Sequence, residues 1–359
     1  LPNGEGALMF TKLLSGDLPR SRVLSVLLLV VFIGLALAPF LVHGAKPLNV
    51  AAKICIFIVL VASYDLLLGY TGIVSFAHTM FFGIGAYGVA IAFTRLGASW
   101  GALFAGVGAA LVLSLLLSLL IGLFSLRVRA IFYAMITLAV ASAFQTLASQ
   151  LSDFTGGEDG LNFKLPEMLT PGFSLRDDPF LGVSLDGRLI SYYLVFVCAV
   201  VLFLLMLRVV NSPFGRVLQA IRENDFRAEA LGYRTVVYRT ISNVLSAGFA
   251  TLAGALLALW LRYNGPDTSL SFEIMMDILL MVVIGGMGTM YGAAIGAALF
   301  IIAQNYLQDL MKLGSDSLSG LPWLASLIHP DRWLLWLGVL FILSVYYFPA
   351  GIVGRLRKS

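Results

Sequence analysis

The feature that most limits what this chain can become is a succession of apolar runs about 20 residues long. About ten are visible, at 23–42, 50–69, 72–93, 101–124, 130–150, 190–209, 239–261, 272–288, 290–311 and 333–349. About 20 residues of helix cross a bilayer core, whereas barrel strands alternate polarity over about ten. These runs are continuous, so they read as helices. Only 12% of the residues are charged, against roughly 25% in soluble domains, a deficit too large for a water-facing surface. The expected fold is an all-α polytopic membrane protein. Its first run is long enough to span, so it reads as a retained anchor and not a cleaved signal.

Charge sets the expected orientation. With the N-terminus in the cytoplasm, alternating spans gather Lys12, Arg20, Arg22, Arg127, Arg129, the six arginines from Arg208 to Arg239, and Arg355, Arg357 and Lys358 on one side. The opposite short loops hold Lys46, Lys53, Arg95, Arg262, Lys312 and Arg332. That bias follows the positive-inside rule and puts both termini in the cytoplasm. It also accounts for the net charge of +4 without any nucleic-acid partner. The chain then divides into a cytoplasmic segment 1–22, a transmembrane half 23–150, an outer loop 151–189, a second half 190–349 that includes a cytoplasmic loop 212–238, and a tail 350–359. The outer loop carries seven acids and is rich in Gly and Pro, so it reads as irregular. It is either a connector or a surface for an external partner.

Two glycine-rich apolar segments interrupt the third and eighth runs. One is GYTGIVSFAHTMFFGIGAYG, Gly69 to Gly88, and the other IGGMGTMYGAAIGA, Ile284 to Ala297. Gly288, Gly292 and Gly296 recur every four residues, which on a helix makes one small-residue face for close packing. With five spans per half, the third span corresponds to the eighth and the halves have opposite orientation. That is the pattern of a 5+5 inverted repeat with glycine-broken helices flanking a pathway. Asp65, Thr71, Ser75 and His78 cluster at the first break, and ionisable groups at membrane depth are costly. Candidate pathway positions are Thr71, Gly72, Ser75, His78, Gly285, Gly286 and Gly288. Thr71, Ser75 and backbone freed near the glycines can pair with a substrate's charged ends. His78 reads either as a pin for the broken helix or as a proton relay.

The loop SPFGRVLQAIRENDFRAEALGYRTVVYR, Ser212 to Arg239, is a charged island between apolar runs. Ser212-Pro213 suits a helix start. Phe214, Val217, Leu218 and Ile221 then form an apolar stripe at helical spacing. Asn224 or Asp225 can cap a second short helix, FRAEAL, and Gly232 can end it. The loop therefore predicts coupling helices that dock a partner on the cytoplasmic face. Arg216, Arg222, Glu223, Asn224, Asp225, Arg227, Glu229 and Gly232 are the candidate coupling residues. A solvated loop or a lipid-headgroup helix is the plainer alternative.

AIREND and AEALGYR in this island resemble the cytoplasmic coupling loop of bacterial ABC importer permeases. More narrowly, YDLLLGYTGIVSFAHTMFFGIGAY, LRVRAIFYAMITLA, TGGEDGL, VIGGMGTMYGAAIGA and the ending PAGIVG resemble the high-affinity branched-chain amino acid permease family, in its larger permease subunit. The resemblance implies an importer subunit in the bacterial inner membrane. Its implied partners are a homologous second permease, two cytoplasmic ATPase subunits that bind ATP and Mg, and a periplasmic substrate-binding protein, with lipid around the spans. Close relatives of that family are linked with urea, amides and small carboxylates.

The residues agree that the energy source lies elsewhere. No Gly-Lys dipeptide occurs, and a Walker A loop needs Gly-Lys-Ser/Thr. No catalytic residue is expected: Gly97-Ala-Ser-Trp-Gly101 matches G-x-S-x-G by chance, without a preceding strand. No metal site is expected either, and Cys55 and Cys198 read as packing residues. The rival reading is a self-sufficient secondary transporter.

Overall fold

Each predicted apolar run becomes a helix in the computed structural model, which describes residues 22–41, 44–125, 130–174, 186–317, 329–348 and 351–358. Among them, ten helices are long and apolar enough to cross a membrane. They are α1 (Arg22–Leu41), α2 (Ala45–Thr71), α3 (His78–Leu96), α4 (Trp100–Ser125), α5 (Ala130–Gln150), α6 (Gly187–Val210), α9 (Thr235–Leu261), α10 (Phe272–Gly285), α11 (Met290–Ser317) and α12 (Trp333–Tyr347). Two short helices, α7 (Pro213–Glu223) and α8 (Asp225–Ala230), lie between α6 and α9, and α13 (Gly351–Lys358) ends the chain. The protein is an all-α polytopic membrane protein. The N-terminal basic residues Lys12 and Arg20, with Arg127 and Arg129, lie outside the described residues.

Burial sorts the spans into an inner and an outer set. α2, α3 and α9 are mostly enclosed, while α1, α4, α5, α6 and α12 face outward. α9 packs along α2, α3 and α4, and α2 also meets α6 and α11. Small residues allow this closeness: a Cβ on Gly85 would overlap the Thr251 carbonyl, and one on Gly254 the Phe82 carbonyl. Buried hydroxyls tie the same helices, as Thr251 Oγ1 donates to Ser114 Oγ at 2.7 Å and Ser246 Oγ to the Ser63 carbonyl at 2.6 Å. Such bonds replace the water that lipid cannot supply.

Three features differ from the sequence expectation. The third span begins at His78, because Gly72 takes a left-handed φ of 72° as the cap of α2, and 72–77 stay non-helical. The eighth span stops at Gly285, and Gly288 sits in the following turn with φ 81°. Gly288 therefore does not share a helical face with Gly292 and Gly296, which do pack the α10–α11 hairpin closely. Within its described residues, 151–174, the loop after α5 also carries short elements that its Gly and Pro content does not suggest. β1 (Leu161–Asn162) pairs antiparallel with β2 (Tyr263–Asn264), joining it to the turn after α9.

Candidate coupling site

The Ser212–Arg239 loop folds as its capping residues dictate. Ser212 Oγ accepts the Gly215 N–H, and Pro213 occupies the first turn of α7. Leu218 and Ile221 are fully buried beneath α7, and Phe214 stacks on Tyr238 with ring centroids 5.7 Å apart. Asn224 does two jobs. Its N–H closes α7 on the Ala220 carbonyl at 3.0 Å, and its Oδ1 caps α8 by accepting the Arg227 N–H at 2.9 Å. After α8, Gly232 takes φ 91° and the chain returns to α9. Thr235 Oγ1 donates to Glu229 Oε1 at 2.7 Å, and Arg239 pairs with Asp225 at 2.6 Å.

This scaffold leaves one face open. Arg216, Glu223 and Arg227 are exposed. Phe226 is 86% exposed and Leu231 73%, a fixed apolar pair beside charge. The sequence reading missed both, although an apolar residue on the polar side of an amphipathic helix is the signal that marks them.

Arg222 is exposed like its neighbours and also has a partner inside the protein. Its Nη1 donates inward to the Gly69 carbonyl. A Cβ on Gly288 would stand 2.7 Å from the same Nη1, and one on Gly72 3.3 Å from Arg222 Cγ. The buried Asp65 carboxylate completes the junction, with Oδ1 accepting the Gly288 N–H at 2.9 Å. Its Oδ2 has no partner among the described residues. Asp65 was visible in the sequence as an acid inside an apolar run, but its partner is 223 positions away. One end of the molecule thus brings together α7, the end of α2 and the turn before α11.

The two glycine breaks therefore meet at a single end. An in-plane two-fold would carry equivalent elements to opposite ends, so these breaks are not each other's repeat equivalents. The candidate pathway residues surround this junction. Thr71, Ser75, His78, Gly285 and Gly286 are buried. Gly288 is half-buried, and Gly72 is exposed. Thr71 Oγ1 donates to the Leu67 carbonyl. His78 Nε2 lies 2.9 Å from Ser63 Oγ, and its ring rests 5.2 Å from that of Tyr64. Among the described residues, no group of three or more His, Cys, Asp or Glu is placed to hold a metal ion, and Cys55 and Cys198 are free thiols.

Comparison with known proteins decides what kind of membrane protein these spans and the capped helix pair form. The family described as branched-chain amino acid transport system, permease component, matches residues 46–345. The chain belongs to this family. The permease is 28% identical over 325 residues to the high-affinity branched-chain amino acid transport system permease protein LivM of Salmonella typhimurium, covering 87% of this chain and 75% of that protein. It is 28% identical over 327 residues to LivM of Escherichia coli, with the same coverage. It is 25% identical over 252 residues to the probable branched-chain amino acid transport permease protein LivM of Methanocaldococcus jannaschii, covering 68% of this chain and 67% of that one. No solved structure matches the permease.

Proposed function

We propose that this permease is the translocation subunit of an ATP-driven importer for branched-chain amino acids in the bacterial inner membrane. The observation that carries this reading is the α7–α8 pair. It is rigidly capped, presents Phe226 and Leu231 to solvent, and is anchored through Arg222 to the end of α2. An ATPase subunit that binds ATP and Mg docks on that face. Closure of two such subunits moves α7, and Arg222 carries the motion to the α2–α11 junction. Gly232 and Asn224 fix the geometry, while Arg216, Glu223 and Arg227 supply charge at the rim. Arg222, Asp225 and Glu229 act inside the loop. A homologous second permease pairs with this chain, and a periplasmic binding protein delivers substrate at the opposite end. Both termini lie in the cytoplasm.

The reading is tested by reconstituting the permease in liposomes with its second permease, ATPase subunits and binding protein. ATP-dependent uptake of leucine, isoleucine or valine is the expected result. Uptake of urea, amides or small carboxylates alone would shift the substrate within the same mechanism. Gradient-driven uptake by the purified chain without ATPase subunits would overturn the ATP-driven reading.

A further inference from the structure

The outward faces of most spans are what lipid requires. Val30 on α1, Leu116 on α4, Val201 on α6 and Leu335 on α12 are all exposed and apolar. α5 is different. Met135, Ala139, Ser142, Thr146 and Gln150 recur at spacings of four and three, so they share one face of the helix, and every one is exposed. Thr146 Oγ1 donates to the Ser142 carbonyl at 3.0 Å, but the hydroxyl's lone pairs and the Gln150 carboxamide still seek partners. Gln150 ends the helix, whereas Ser142 and Thr146 lie within the span, and polar groups at that depth face a bundle interior or a water-filled cavity, because lipid offers them no hydrogen bond.

A second observation concerns how α5 is held. Behind it, a crevice of about 560 Å³ separates Phe144, Leu147 and Ala148 from Tyr87, Ile91 and other residues of α3 and α4. At its other end the helix is held by two hydrogen bonds. Thr137 Oγ1 accepts the Phe76 N–H at 3.0 Å, and Tyr133 Oη donates to Asn243 Oδ1 at 3.3 Å. Phe76 belongs to the non-helical stretch that continues α2 beyond Gly69, the residue that Arg222 holds. α5 is thus tied to the coupling junction at one end, and toward the other it borders the crevice while Ala148 packs with Tyr87 and Leu270.

We propose that this face of α5 lines the path of the transported amino acid. Ser142, Thr146 and Gln150 form a polar vestibule, and Met135 is its apolar floor. Uncharged hydroxyl and carboxamide groups offer donors to a carboxylate and acceptors to an ammonium. They carry no fixed charge that would trap the zwitterion. Ala139 leaves room between vestibule and floor. The second permease supplies the opposite wall. The assignment deepens the proposed function and rests on it for the identity of the occupant.

Thiol accessibility in the assembled complex tests it. Cys55 and Cys198 are first replaced by alanine. Ser142→Cys, Thr146→Cys and Gln150→Cys are then compared with Val201→Cys in a membrane treated with a charged, impermeant methanethiosulfonate reagent. A thiol in water ionises and reacts, whereas one in apolar surroundings stays protonated. The α5 thiols are expected to react at least about ten times faster than the Val201 position, and saturating leucine should slow them. Equal reactivity of the three α5 positions and the control would overturn the assignment, and three separate positions guard against one variant failing to fold. Should the complex move no branched-chain amino acid while the stripe still reacts, the substrate reading fails and the path remains.

Discussion

Arg222 donates from Nη1 to the carbonyl oxygen of Gly69, joining residues 153 positions apart. The bond runs from the last turn of α7 to the last turn of α2, and it sits beside the Gly288 amide that Asp65 accepts. One guanidinium therefore links the docking helix to both glycine breaks. Arginine suits this place because its charge persists at any physiological pH and its stem can lie along Gly72.

Replacing Arg222 with alanine is expected to uncouple the transporter without dissolving the complex. A hydrogen bond from a charged donor is worth about 1.5–3 kcal/mol, and a partly solvated one lies at the lower end, about a tenfold effect. Leucine uptake per ATP hydrolysed should fall about tenfold or more, while the ATPase subunits still co-purify. Loss of co-purification would make Arg222 part of the docking surface instead.

The exposed pair on α8 makes the opposite prediction. Phe226→Asp and Leu231→Asp place charge on a face that none of the described residues covers, so the permease should fold and insert normally. Docking should fail, because buried aromatic anchors commonly supply 2 kcal/mol or more, roughly thirtyfold in affinity. Co-purification of the ATPase subunits and thermal stability of the isolated permease separate the two effects.

How much of this arrangement was legible follows from the range of each interaction. The spans, the Ser212 and Asn224 caps and the Gly232 stop are local, and the sequence carries them within a few residues. Where the third span starts was misread because Gly72 looks like a helical glycine until its left-handed cap is seen. The burial of Thr71, Ser75 and His78 depends on α9 and on contacts far along the chain. Their polarity alone does not reveal how deeply they are enclosed. The bond from Arg222 to Gly69 was not legible for the same reason: its acceptor is a backbone carbonyl, which leaves no mark in the sequence.

Gly69 should tolerate no side chain. A Cβ there would overlap both the Asp65 carboxylate and the Gly288 amide, and overpacking of this kind costs about 1–3 kcal/mol. Gly34, in α1, has no neighbour within 4 Å of the same point. Alanine there should be neutral or slightly stabilising, since glycine costs about 1 kcal/mol within a helix. Thermal unfolding of Gly69→Ala and Gly34→Ala in detergent should separate clearly, the first lowered and the second unchanged or raised.

His78 provides the test between a pin and a proton relay. Its ring is buried, in contact with Ser63 Oγ at 2.9 Å and the Leu60 carbonyl at 3.3 Å, and it packs against Tyr64. A ring so held bridges the start of α3 to the middle of α2, across the break at 72–77. Glutamine offers a similar reach with both a donor and an acceptor, but it cannot carry a proton at neutral pH. His78→Gln should therefore keep most of the uptake and leave its pH profile unchanged. His78→Ala removes the ring's contact with Ser63 Oγ, which keeps its bond to the Leu60 carbonyl, and opens a cavity that should lower stability by about 2–4 kcal/mol. A folded His78→Gln protein that loses uptake, or shows a flattened pH dependence, would place the imidazole in proton transfer and revive the secondary-transporter reading.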